Sequence, residues 1–173
     1  MHGFSNQTIP LSDIPQYQAT PLNPLDAAYK KVVLYNYIFI LFILLVLAAL
    51  AFKFNIFYKI PLIFATGFAL VILFFSLFFN LKAITLRGYA FRQHDIINYS
   101  GFIVKKTTVV PNNRIQHVSI QQGIFSRLFN LCSLKIYTAS TGTSDIIIHG
   151  ITYHDALRYK AFILNKIHVE LHD

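Results

Sequence analysis

Seven histidines, a single cysteine and a few serines are the residues of this chain that could make or break bonds. His149 and His154 lie close together, but a strand-to-helix junction between them gives no shared helical face, and neither a cysteine pair nor an HExxH accompanies them. A zinc set is not expected. His94 beside Asp95, and His154 four residues before Arg158, can form hydrogen-bonded pairs, yet no serine in a glycine-framed elbow stands with either. Ser126 and Ser133 follow Phe125 and Cys132 instead, and Cys132 alternates with strand residues as a buried thiol does. The expectation is no catalytic residue, no metal, no cofactor and no small-molecule substrate, and hence no enzyme.

Other polar groups suit contact better than catalysis. Arg114, Gln116 and His117 follow a Pro111-Asn112-Asn113 turn, and Arg127 stands beside Phe125 further on. An arginine supplies five donors, so these residues can either clamp loops or present a face to a partner. Lys105 and Lys106 interrupt an otherwise apolar strand. With Lys82 they are candidates for lipid headgroup contact, against the plainer reading of a solvated sheet edge. Phe125, Leu128 and Phe129 form an apolar cluster, for which core packing is the first expectation.

What positions these residues is dominated by two uncharged runs. With 55% apolar residues, 13% charged residues and a mean hydropathy of +0.51, the composition lies outside the usual soluble balance. The excess is concentrated in residues 32–52 and 60–79. At 1.5 Å per residue each run spans ~30 Å, enough to cross a hydrocarbon core. The first run starts too late and is too long for a signal peptide. The short link between them predicts antiparallel neighbours, with Ala48, Ala49 and Ala51 facing Ala65, Gly67 and Ala69 as small surfaces for close packing. Tyr29, Tyr35, Tyr37 and Tyr58 are placed to anchor the ends in the headgroup layers. Asn36, near one end, reads as an interfacial or helix-bonded amide.

Cations set the orientation. Lys30, Lys31, Lys82, Arg87 and Arg92 flank the outer ends of the runs, against Lys53 and Lys59 in the link, which predicts both termini on the cytoplasmic side. Of the net charge of +8, +6 falls from residue 80 onward. A basic domain suits an anionic leaflet. Nucleic acid is not expected as a partner, because no zinc spacing, basic helix or ribonucleoprotein motif is present. A lone cysteine excludes an intramolecular disulfide and fits a reducing cytosol.

The remaining organisation divides at the runs. Residues 1–31, with four prolines among polar residues, read as an extended tail ending in an interfacial segment; residues 32–79 form the hairpin; residues 80–173 form a compact domain. Within the last, runs at 82–87, 89–94, 95–99, 102–110, 115–121, 133–138 and 145–149 predict seven strands, separated by turn residues such as Arg87-Gly88, Ser100-Gly101 and Thr141-Gly142. Thr152 is a natural N-cap, with Asp155 at the third helical position, for a closing helix that runs through Leu157 and Ile163 to Ile167.

Two apolar spans followed by Val110-Pro111-Asn112-Asn113-Arg114-Ile115-Gln116-His117-Val118, then Gly123, Arg127 and Leu131-x-x-Leu134-x-Ile136-x-Thr138-Ala139, resemble the bacterial pleckstrin-homology-like membrane proteins of the YdbS-like family. Asn130 stands where that family usually carries glycine, and Asn is the next best residue for a left-handed backbone. The resemblance implies an α+β membrane protein: a two-helix transmembrane hairpin, then a PH-like seven-strand β-barrel or sandwich with a C-terminal helix. It implies a bacterial inner membrane location and no defined reaction. The reading is a membrane-anchored interaction or scaffold module that binds another membrane protein or a paralogue besides the lipid bilayer. An anionic-lipid sensor is the alternative.

Overall fold

The computed structural model describes residues 20–54, 59–138 and 144–170. Tyr58 and most of the inter-span link, residues 1–19 of the tail, and the Thr141-Gly142 turn lie outside them. Two long helices, α1 (Tyr29–Lys53) and α2 (Lys59–Thr85), carry the apolar runs. Both are long and apolar enough to cross a membrane. Tyr37 on α1 meets Ser76 and Asn80 near the end of α2, while Ala48 and Ala51 lie beside Leu62 and Ala65 near its start, so the helices run antiparallel. Ala48, Ala51, Ala65 and Ala69 line an apolar groove of about 530 Å³ between the helices. A β-carbon added at Gly67 would meet no described atom within 4 Å, so this glycine is not at a close helix contact.

Polar side chains on the helices are satisfied locally. Asn36 Nδ2 donates to the Val32 carbonyl at 2.8 Å, the helix-bonded amide expected of it. Asn80 Nδ2 donates to Tyr37 Oη at 2.8 Å and to the Ser76 carbonyl at 3.0 Å, and Tyr37 Oη shares a 2.7 Å hydrogen bond with Ser76 Oγ. This cross-helix knot sits at the end of the hairpin that carries the sheets.

Two sheets follow. The first takes its strands in the order β1 (Asn23–Pro24), β2 (Gly88–Phe91), β3 (Asp95–Ser100) and β4 (Lys106–Pro111), all antiparallel. The second joins β5 (Ile115–Gln121), β6 (Leu131–Thr138) and β7 (Ser144–Thr152). Between β5 and β6 lies the one-turn helix α3 (Ile124–Leu128), and α4 (Tyr153–Glu170) closes the chain. Alternation explains the core: Cys132, Leu134 and Ile136 point inward from β6 and Ile146 and Ile148 from β7, meeting Ile96, Val110, Ile115, Val118 and the Ala156 and Ile163 face of α4. Thr152 caps α4 as expected, accepting from Asp155 N–H at 3.2 Å while its hydroxyl donates to the Asp155 carboxylate at 2.6 Å. Asn130 takes the left-handed conformation at φ 53°, as its glycine-replacing position required.

Four expectations need correction. The sheets are two separate ladders, not closed into a barrel. The run at 82–87 is no strand: α2 continues to Thr85 and ends in a turn, because a helix already nucleated adds residues at little cost. The run at 102–110 is strand only from Lys106, since Gly101 turns the chain at φ +116° and leaves Phe102 to Lys105 as the tip of the β3–β4 hairpin. Finally, the segment before the hairpin is more than a tail. Asn23 and Pro24 pair with Tyr89 and Gly88, so the two apolar helices are spliced between neighbouring strands of one sheet.

Candidate interaction surface

The joint between helices and sheets holds the globular half against the start of α1. Asp26 N–H donates to the Gly150 carbonyl at 2.9 Å, and Asp26 Oδ1 accepts from Ala28 N–H at 2.7 Å as α1 begins. Tyr29, the first residue of α1, lies against Gly150 and stacks on His149 with ring centroids 6.0 Å apart and planes 11° from parallel. His149 in turn shares a 2.8 Å hydrogen bond between Nδ1 and Ser133 Oγ. Burial, and then the positive charges of Arg87 and Lys135, hold the His149 imidazole below its ordinary range, so it stays neutral at neutral pH. On the other side, α3 lies along α1: Phe125 meets Tyr35 at 6.1 Å and Phe39 at 5.8 Å, and Phe129 meets Tyr35 at 5.6 Å.

The candidate residues fall into two separate groups. Arg114 ends the 3₁₀ turn Asn112–Arg114, and Gln116 and His117 follow on β5; all three are exposed, with His117 against Tyr137 at 5.4 Å. Arg127 and Phe125 belong to α3, beyond the other end of β5, ~20 Å of strand away at 3.3 Å per residue. The polar motif read as one unit in sequence is thus split. Arg114 makes no side-chain hydrogen bond among the described residues. The loop tie in this stretch is its neighbour Asn112, 1% exposed, whose Nδ2 donates to the Gln93 carbonyl at 3.0 Å while its N–H donates to His94 O at 2.9 Å.

The apolar cluster also divides. Phe125 and Phe129 are half-buried against α1 and lie outside the core cluster, whereas Leu128 points outward, so the expected core packing is replaced by a helix contact and an exposed tip. Lys82 lies in the last stretch of α2 over the Phe78 ring at 6.0 Å, and Lys105 and Lys106 are exposed at the β3–β4 tip, with Lys106 opening the edge strand of its sheet. Lys82 thus belongs to the hairpin itself, Lys105 and Lys106 to a tip that touches it through Phe102 on Phe79, and Arg127 to α3, which packs on α1.

Chemistry-bearing groups elsewhere have ordinary partners. Asp95 binds Arg92 through both carboxylate oxygens, not His94, and His154 is exposed 3.7 Å from Asp155. Among the described residues no three His, Cys, Asp or Glu side chains gather closely enough to hold a metal ion. Cys132 is buried, its thiol donating to Ile151 O at 3.5 Å, and burial pushes its pKa to about 11. Sequence reasoning missed a cavity of about 160 Å³ between the sheets, lined by Leu25, Arg87, Asn98, Ser100 and His149, where the buried Arg87 Nε has no partner among the described residues. Its volume and polar lining suit ordered water or a small anion. The lining comes from four distant segments, so no spacing could have announced it.

Two separate antiparallel sheets, a capped closing helix and a helical hairpin spliced after the first strand define an α+β class of protein whose two long helices are apolar enough to cross a membrane. Residues 25–167 match the bacterial PH domain family, and this chain belongs to that family. Among its relatives is the UPF0699 transmembrane protein YdbS of Bacillus subtilis (strain 168), 40% identical over 53 residues. That stretch covers 31% of this chain and 33% of the relative, so the match spans about a third of either protein. No solved structure matches the chain.

Proposed function

We propose that this chain is a membrane-anchored, non-enzymatic interaction module whose PH-like half, residues 80–173 with the β1 strap, binds another membrane protein or a paralogue. One observation carries the reading: the globular half is fastened to the hairpin by β1–β2 pairing, by Asp26 on Gly150 and by Phe125 on α1, so its outward polar surface keeps one orientation. In this reading residues 32–52 and 60–79 cross a bacterial inner membrane, and both termini face the cytoplasm because the outer flanks carry the larger cation count. Arg114, Gln116 and His117 form the contact face. Tethering turns a weak contact into a two-dimensional encounter at high effective concentration.

A photoreactive residue at Arg114 or His117 tests this in cells. Crosslinking to a reproducible membrane protein is the expected result. A partnerless, monodisperse protein across several growth states would count against it. The second reading, anionic-lipid sensing, is favoured by the placement of Lys82 near the end of α2 and of Lys105, Lys106 and Arg127 on the two segments that pack against the hairpin. It requires purified full-length protein to bind phosphatidylglycerol over phosphatidylcholine, with binding that weakens as salt rises.

A further inference from the structure

We propose that two apolar tips of the globular half, one beside each helix, are embedded in the headgroup–acyl boundary of the bilayer, so that the domain lies partly in the membrane. The first tip is the β3–β4 turn, where Ile103 is 81% and Val104 76% exposed. The second is α3, where Ile124 is 81% and Leu128 71% exposed, four residues apart and therefore on one face. Aliphatic side chains so bare at two turn tips mark a surface that something apolar covers.

Their level on the hairpin identifies the cover. Counting from Val32, the first residue of the uncharged run, the 1.5 Å rise places Tyr35 ~5 Å and Phe39 ~10 Å inside it. Phe125 touches both rings, so α3 sits at the depth where the hydrocarbon begins. On the other helix Phe102 meets Phe79, the last residue of the second run, at 6.1 Å, which puts the β3–β4 tip at the same boundary. Cations border both tips: Lys105 and Lys106 on one, Arg127 on the other, with Lys82 three residues beyond Phe79. Apolar side chains pointing into acyl chains beneath cations at the phosphate level is the arrangement of an interfacial membrane anchor. The occupant is therefore the bilayer itself. This rests on the hairpin crossing the membrane, and it adds that the domain is held down on it.

The chain contains no tryptophan, so a single introduced indole reports its own surroundings. Full-length variants Ile103→Trp, Leu128→Trp, Phe42→Trp in mid-helix and Gln116→Trp on the outer face are reconstituted into phosphatidylethanolamine/phosphatidylglycerol vesicles containing brominated phosphatidylcholine. The expected result is blue-shifted emission at positions 103 and 128, with quenching between that of the mid-helix and outer-face indoles. Quenching at 103 and 128 no stronger than at 116, with position 42 quenched, overturns the proposal while leaving the hairpin in place. A blue-shifted but unquenched indole means that protein, including a second copy of this chain, covers the tips, and it overturns the proposal equally. Failure of quenching at position 42 removes the hairpin reading and the proposal with it.

Discussion

Tyr29 occupies the space that a side chain at position 150 would need. A Cβ built on Gly150 would stand 2.7 Å from Tyr29 Cγ, and the glycine itself sits at φ +66°. Helix and sheet therefore meet by mutual exclusion: the ring fits because the strand has no side chain there.

Gly150→Ala should be costly for two separable reasons. The left-handed backbone costs a β-carbon ~1 kcal/mol, and the clash displaces Tyr29. Thermal unfolding in mild detergent should show destabilisation of ~2 kcal/mol or more. Combining Gly150→Ala with Tyr29→Ala should recover the steric part but not the backbone part.

His149 makes the same joint sensitive to pH. Its folded pKa lies below the ordinary value of 6.5, so the unfolded chain takes up a proton first as pH falls. The associated stability is complete above about 6.5 and is lost as pH drops from there through the lowered pKa. Unfolding temperatures measured at about pH 7.5 and about pH 5.5 should differ less for His149→Asn than for the parent protein.

Asn112 and Arg114 should behave oppositely. Asn112→Ala removes a buried donor to Gln93 O and should cost ~1–3 kcal/mol. Arg114→Ala, exposed and without a side-chain hydrogen bond among the described residues, should leave stability within ~0.5 kcal/mol and weaken only a partner contact. Chemical denaturation beside a crosslinking yield separates the two roles.

The Tyr37–Ser76–Asn80 knot should hold the helices together modestly. Asn80→Leu loses the bonds to Tyr37 Oη and Ser76 O, and the expected cost is ~1 kcal/mol, since polar pairs between membrane helices are worth little more. Proximity labelling between α1 and α2 should survive this change; its loss would give the knot a larger role.

Cys132 should resist thiol reagents in the folded protein, because it is buried and its pKa is raised to about 11. Cysteines introduced at Phe54 and Lys106 can then be read separately in whole cells. An impermeant maleimide added outside should label position 54 and spare 106; the reverse pattern would invert the proposed orientation.

Much of this architecture is legible in sequence, for physical reasons that differ by element. The apolar runs announce α1 and α2 because only length and lack of charge matter there. From Cys132 onward, alternation places Cys132, Leu134 and Ile136 inward on β6, since a period of two puts them on one face. Thr152 and Asn130 declare a cap and a left-handed turn through the conformations their own side chains favour. These are all local effects, readable within a few residues.

Only the tertiary structure decided what depends on distant partners. Asn23 and Pro24 have no periodicity of their own, and they become a strand because β2, beyond the whole hairpin, offers them an edge. Residues 82–85, apolar enough for a strand, stay helical because α2 is already running. Leu128 reads as a core residue in sequence together with Phe125 and Phe129, yet the aromatic face of α3 takes the packing against Tyr35 and Phe39 and leaves Leu128, with Ile124, turned outward. Which of two apolar faces is buried is a question of neighbours, and neighbours are set by the fold.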